Sequence, residues 1–427
     1  MGTLLLVLFI VLVVIGTPIA FVLVGTTIFS MLFGSANAVM TLVPQQMFVG
    51  MDVFALLAIP LFMVAGSLMG EGGISQRLID FCDSLIGHWT GGLAYVAILA
   101  CMIFAAISGS GPATVAALGS ILIPGMLKAG YDVGFSVSVL SLAGAIGVII
   151  PPSIPMVVYS SSANTSVGDM FMAGIGPGVL VGVLLMVMSY YLCKKYHFGA
   201  PAHPKMSWKE RGHALKESFF ALLMPVIILG GIYSGQFTPT EAAGIAVLYG
   251  LIVGVFVYHE LNIAKIKKVM LEAAKNTGMV MMIIGAAKGF GTLLTTQHVP
   301  EKVANFLLNV TDSKFGVLLI INVLLLFVGC IMECNAALLI LTPILLPVVT
   351  QLGVNPVHFG IIMIVNMAIG MSTPPLGVNL FVGCGIVRIK IERTLKMLLP
   401  LIGANVIALL LITYIEPVSM FLVNLLK

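Results

Sequence analysis

The chain has 427 residues, 60% of them hydrophobic and only 8% charged, with a net charge of +4 and a mean hydropathy of +1.16. A soluble domain carries about 25% charged residues, so a soluble globular protein is excluded, and the long apolar runs exclude the short alternating strands of an outer-membrane barrel. Residues 1–51, 84–127 and 133–168 hold no Asp, Glu, Lys or Arg; at roughly 20 apolar residues per helical span the chain is an all-α polytopic membrane protein of about a dozen spans.

The N-terminal MGTLLLVLFIVLVVIG lacks the basic n-region of a leader, because the first Lys or Arg is Arg77. It reads as a first membrane span that is retained. Trp89 and Tyr95 read as interface anchors. Next comes ILACMIFAAISGSGPATVAALGSILIPG, apolar at both ends and broken at its centre by two serines, two glycines and Pro112. Residues 98–127 are too many for one comfortable span and too few for two, so they predict a re-entrant hairpin with its tip at SGSG. Irregular backbone at membrane depth survives only where protein or a wet cavity satisfies it. A broken helix follows over 133–163, interrupted by AIGVIIPPS, where Pro151 and Pro152 remove two N–H donors and free carbonyls a turn earlier and Gly147 adds flexibility.

The basic stretch 194–216 holds six of the 20 basic residues and divides the chain. Residues 265–275 and 388–396 hold four each. By the positive-inside rule all three face the cytoplasm, and Lys128 adds a weaker vote for its own loop. Nothing resembles a nucleic-acid module. GQFTPTEAAG (235–244) is a capping box, with Thr238 as N-cap, Pro239 at N1 and Glu241 at N3. The six cysteines show no metal or redox spacing and read as small buried hydrophobes. Lys288, in GAAKGFG, either snorkels or pairs with a carboxylate.

The same punctuation then recurs. GCIMECNAALLILTPILLP predicts a second hairpin over 317–347 with its tip near Glu333-Cys334-Asn335, and AIGMSTPPL breaks a second helix over 358–387. Pro124 and Pro347, Gly147 and Gly370, and Pro151 and Pro374 are each 223 residues apart. Two copies of one hydrophobic unit mark a transporter built from repeats. Equivalent loops differ in charge: Lys128 against the neutral TQLGVN, and NTSVGDM against RIKIER. The repeats are therefore inverted, 1–196 and 217–427, joined by a basic cytoplasmic connector, 197–216.

Each hairpin tip supplies hydroxyl or carboxylate oxygens, and each unwound helix supplies free carbonyls. Such oxygens suit hard monovalent cations, and half-helix N-termini suit an anionic substrate group. Two half-sites predict two cation sites beside one substrate site near the midplane. The cation candidates are Ser108, Ser110, Gly147 and Pro151 in the first repeat, and Gly329, Glu333, Asn335, Gly370 and Thr373 in the second. The substrate candidates are Ser108, Ser110, Ser153, Glu333, Thr373 and Asn379. Glu333 is an ionisable residue inside an apolar run, which marks an ion or substrate path or a carboxyl satisfied locally at the tip. The hydroxyls of Ser108, Ser110 and Thr373 either bind or back-bond a helix carbonyl, and Asn335, Asn366 and Asn379 either line the site or tie helices together. Nucleotide-binding and hydrolase motifs are absent; an intramembrane serine protease at Ser110 lacks a base tied to it by sequence.

Together SGSGPATVAALG, AIGVIIPPSIPMVVY, QFTPTEAAG, AALLILTPILLPV and GMSTPPLGVNLFV resemble the large membrane subunit of tripartite ATP-independent periplasmic (TRAP) transporters, over essentially the whole chain. The resemblance implies a multi-pass protein of the bacterial inner membrane, not an enzyme, with no cofactor and sodium as the coupling ion. It implies a separate four-helix membrane subunit and a periplasmic substrate-binding protein as partners. It also implies elevator-like movement of the hairpins and broken helices against a scaffold. Among such systems the chain looks most like those for sialic acid, with C4-dicarboxylates the close competitor. Glu333 stands where the family's pattern has an aspartate, one methylene shorter.

Overall fold

The structure is a computed structural model that describes residues 7–9, 11–13, 15–33, 41–199, 204–311 and 313–426. All regular structure among them is helical. The expected first span (1–16) lies partly outside the described residues, as do residues 200–203 of the expected connector.

The first half runs through α1 (Ile19–Phe33), α2 (Leu42–Met51), α3 (Ala58–Glu71) and α4 (Ile74–Ile86). It continues as α5 (Gly92–Ser108), α6 (Gly111–Lys128), α7 (Val133–Ala145), α8 (Ile154–Ala163) and α9 (Val167–Tyr196). The second half contains α10 (Trp208–Tyr233), α11 (Pro239–Ile252), α12 (Ile263–Thr296), α13 (Val299–Val310) and α14 (Lys314–Gly329). It ends with α15 (Cys334–Gln351), α16 (Pro356–Gly370), α17 (Val378–Val387), α18 (Leu395–Tyr414) and α19 (Pro417–Leu425). Eight helical segments among the described residues are long and apolar enough to cross a membrane. The other apolar helices, α5, α7, α14 and α17 among them, are shorter, at 10–17 residues.

The repeat is visible in the helix boundaries. α6 and α15 begin at Gly111 and Cys334 and end at Lys128 and Gln351, 223 residues apart at both ends. The caps keep the register: Asp132 accepts the Phe135 N–H at the start of α7, and Asn355 accepts the Val357 N–H at the start of α16. Packing is reciprocal. α17 lies on α6 while α8 lies on α15; α11 lies on α3 while α1 lies on α12. Each repeat thus completes the core of the other, as a pseudo-twofold requires. One element breaks the symmetry. Residues 265–294 run through the single helix α12, whereas their counterparts 42–71 are interrupted at Asp52-Val53 and by a short 3-10 turn, Phe54–Leu57.

Polar side chains hold the apolar layers in register. Asn366 donates to Asn322 Oδ1 (2.8 Å), and Asn322 donates to Thr413 Oγ1 (3.0 Å), linking α16, α14 and α18. That resolves Asn366 as a helix-to-helix tie. Tyr95 is buried, with only Trp89 of the expected pair of anchors exposed, because Tyr95 sits in a stretch of α5, Ala94 to Ile98, that is buried on every side. The Thr238–Glu241 capping box forms as expected (Thr238 N to Glu241 Oε2, 2.8 Å). A second box, Ser207–Glu210, went unrecognised; it starts α10 at Trp208 and so shortens the non-helical connector to its first half.

Candidate cation and substrate half-sites

In the first half-site, α5 ends at Ser108 and the chain turns on Gly109 (φ 61), a left-handed conformation that favours glycine. The tip is knitted by its own oxygens. Ser108 Oγ lies 2.8 Å from Thr114 Oγ1, and Thr114 donates to the Ser110 carbonyl (2.8 Å). The unwound segment between α7 and α8 comes in from the side: the Ile154 N–H donates to Gly109 O (3.3 Å). Gly147 permits the approach, since a Cβ there would sit 2.8 Å from Thr114 Oγ1 and 3.0 Å from Ser110 O. Ser108, Ser110 and Gly147 are therefore brought together, with Pro151 buried in the adjoining turn. Ser110 contributes its carbonyl to this network. Ser153 is fully buried and caps α8, donating to Val148 O (2.6 Å) while it accepts the Met156 N–H.

In the second half-site the turn 330–333 separates α14 from α15. Glu333 is the N-cap of α15: its carboxylate accepts the Ala336 N–H (3.0 Å) and the Asn335 amide (2.7 Å). The unwound segment again bonds to the hairpin, with the Leu376 N–H donating to Cys330 O (3.2 Å). Gly370 touches Gly329 backbone to backbone; a Cβ on Gly370 would lie 2.6 Å from Gly329 Cα. Gly329, Glu333, Asn335 and Gly370 are thus neighbours. Thr373 back-bonds its own helix at Ile369 O (2.8 Å).

Asn379 does not turn to its own hairpin. Its amide donates to Ser141 O (3.3 Å) on α7 and to Ser372 Oγ (3.4 Å), and Gly111 at the start of α6 leaves room for it. Ser372 also donates to Ser141 O (2.9 Å). The two half-sites therefore share a polar seam across the pseudo-twofold. Sequence reasoning missed Thr114, Ser141 and Ser372. Thr114 had a usable signal, one turn beyond Ser110 in SGSGPAT; Ser141 looked like any small residue in SVSVLSLAG. Among the described residues Asn379 Oδ1 and Asn335 Oδ1 are buried without a protein partner. Both therefore keep spare acceptor capacity beside the hairpin tips.

Arranged this way, the tips offer backbone and hydroxyl oxygens in one half-site and a carboxylate in the other. That donor set fits a hard monovalent cation. A cavity of ≈ 490 Å³ opens away from the tips, between α2, α8, α12 and α15; Ser108, Ser110 and Glu333 do not line it.

The family described as "Tripartite ATP-independent periplasmic transporter, DctM component" matches residues 6–418. The chain belongs to this family. The isethionate TRAP transporter permease protein DctMQ of Oleidesulfovibrio alaskensis is 48% identical over 96% of this chain; the match spans 64% of that relative's length. The C4-dicarboxylate TRAP transporter large permease protein DctM of Pseudomonas aeruginosa is 45% identical over 89% of this chain and 88% of its own. The sialic acid TRAP transporter large permease protein SiaM of Vibrio cholerae is 38% identical over 95% of both chains. Among solved structures, the YdaH transporter of Alcanivorax borkumensis superposes with a TM-score of 0.65 at 16% identity, over 87% of this chain and 88% of that one, a likeness of fold. This TRAP permease is a multi-pass membrane protein and not an enzyme.

Proposed function

We propose that this TRAP permease imports a small organic acid by sodium-coupled secondary transport. The observation that carries the proposal is the pair of half-sites 223 residues apart, each a hairpin tip bonded to an unwound helix and each lined by oxygen ligands. Sodium entering a half-site tightens the hairpin against the unwound segment and so preorganises the seam at Asn379, Ser372 and Ser141 for the substrate. The hairpins and broken helices then move as one block against α2, α3, α11 and α12. Substrate arrives from a periplasmic binding protein, and a small membrane subunit completes the permease. The fused DctMQ name of one relative supports that partnership.

Relatives named for isethionate and C4-dicarboxylates are more identical to this chain than the one named for sialic acid. They favour a small organic acid, a short sulfonate or dicarboxylate, over the larger sugar acid that the motifs first suggest. The test is uptake by proteoliposomes holding the permease and its small subunit, with isethionate, succinate and N-acetylneuraminate each presented by the cognate binding protein. One of the three accumulates only with an inward sodium gradient. Equal uptake with potassium in place of sodium overturns the coupling.

A further inference from the structure

We propose that the cavity between α8 and α12 is an anion subsite, with Lys288 as its charge, that takes the carboxylate or sulfonate of the incoming acid before it reaches the hairpin tips. The inference deepens the reading of the protein as an organic-acid importer and rests on it.

Four observations converge. First, Lys288 is the one charged residue lining the cavity. It is exposed there, and no carboxylate among the described residues lies within 4.0 Å of it. A cation at membrane depth is expensive without a partner, and this one has neither a paired acid nor a place at a helix end from which to snorkel: eight residues of α12 follow it, about 12 Å of helix. Second, the facing wall is built of hydroxyls. Ser160, Ser161 and Ser162 lie in the last turn of α8, and Asn164 and Thr165 follow just beyond it, after Ala163. Ser160 is 98% buried, its residual exposure being 2%, and its Oγ has no hydrogen-bond partner, nor has Thr165 Oγ1. Buried hydroxyls without partners are destabilising, and each of these is left with a donor to give to a carboxylate or sulfonate oxygen.

Third, α12 aims its polar residues at that wall. Thr292 and Thr295 lie four and seven residues after Lys288, on the same helical face, and line the same cavity. Gly50 of α2 lets the lysine lie there, because a Cβ at position 50 would be 2.5 Å from Lys288 Cβ and 2.8 Å from Cγ. The helix ends at the wall offset one another: the C-terminus of α8 is followed within four residues by the N-terminus of α9. The sign of the cavity is thus set by Lys288. Fourth, the loop 164–166 after α8 carries no basic residue, whereas the loop at the same end of its counterpart α17 carries Arg388, Lys390 and Arg393, and the two repeats are inverted. The positive-inside rule puts this cavity on the periplasmic side, where substrate is handed over. Isethionate, C4-dicarboxylates and sialic acid differ in size and hydroxylation but share an acidic group, which is what a lysine with hydroxyls recognises. Because the walls come from both the scaffold (α2, α12) and the proposed moving block (α8, α15), movement takes the subsite apart and releases the anion inward.

The test places a cysteine in the wall, Ser161→Cys, in the permease with its small subunit in proteoliposomes, and measures its labelling over the parent chain. Anionic ethylsulfonate and cationic trimethylammonium methanethiosulfonates of similar size report the local charge. With Lys288 present the anionic reagent reacts about tenfold faster relative to the cationic one than with Lys288→Gln; Lys288→Arg retains the preference. Succinate, isethionate or N-acetylneuraminate slows labelling, and Lys288→Gln abolishes that protection and raises the KM of uptake about tenfold with kcat little changed. Labelling ratios indifferent to Lys288→Gln, or no protection by any of the three acids, overturn the subsite. Sodium-independent uptake with protection intact overturns the coupling mechanism instead and leaves the subsite standing.

Discussion

The two hairpin tips occupy equivalent positions and are finished with different chemistry. In the first, neutral oxygens close on one another: Ser108, Thr114 and the Ser110 carbonyl form a small network, and the adjoining Pro151, Pro152 and Ser153 are all buried. In the second, a single carboxylate caps α15 and the adjoining turn is open, with Leu376 53% exposed. The half-helices differ likewise. Ser153 caps α8 with its side chain, whereas α17 starts at Gly377 (φ 45) with no side-chain cap. Common to both tips is the backbone: a glycine in the unwound helix lying against the hairpin, and one N–H of the unwound segment bonded to a hairpin carbonyl. The shared architecture is therefore set by close backbone approach, and side chains tune each copy separately.

Substitutions can break that comparison. The largest effect is expected at Gly370, where a Cβ meets Gly329 backbone that cannot rotate away. Gly370→Ala lowers stability by about 1–3 kcal/mol, read as a fall in melting temperature of the purified permease. Gly147→Ala does less, because its nearest obstacle is the Thr114 hydroxyl, which can swing aside, and the backbone behind it at Ser110 O is 3.0 Å away against 2.6 Å from Gly370 to Gly329 Cα; equal losses would show that the two approaches are not distinguished in this way. Next comes Glu333→Ala, which strips the cap of α15 and costs about 1–2 kcal/mol. Glu333→Gln keeps an acceptor for the Ala336 N–H and removes the charge. It leaves stability near that of the parent while the sodium concentration for half-maximal uptake rises; unchanged sodium titrations reduce Glu333 to a cap. Ser108→Ala removes one buried hydroxyl pairing, worth about 1 kcal/mol in thermal unfolding. The smallest stability change belongs to Ser110→Ala, within about 0.5 kcal/mol, since it is the Ser110 backbone that holds the tip together. A sodium response that shifts with stability intact assigns its hydroxyl to the ion.

Much of this was legible in the sequence because breakers are legible. A single proline is an ambiguous signal, since Pro124, Pro177, Pro225 and Pro400 all sit inside continuous helices, but the clustered breakers of SGSGPA and the two double prolines, repeated at a 223-residue spacing, marked both hairpins and both broken helices. What escaped was side-chain pairing across elements far apart in the chain. Nothing in SVSVLSLAG says that the Ser141 carbonyl will receive Ser372 and Asn379 from 231 and 238 residues away. Glu333 was legible as an anomaly, but its employment as an N-cap depends on α15 starting at Cys334. Lys288 was visible as a lone charge, and only the packing of α12 beside the end of α8 gives it a cavity and a facing wall of hydroxyls.

Sodium titration of uptake tests the central claim, that paired half-sites couple the ion to the substrate, most directly. It is measured in proteoliposomes holding the permease, its small subunit and the binding protein loaded with the acid that is transported. The account predicts no accumulation without sodium and a cooperative dependence on its concentration, with Glu333→Gln displaced to higher sodium. Accumulation driven equally well by a potassium gradient, or a sodium dependence untouched by changes at both tips, would contradict it.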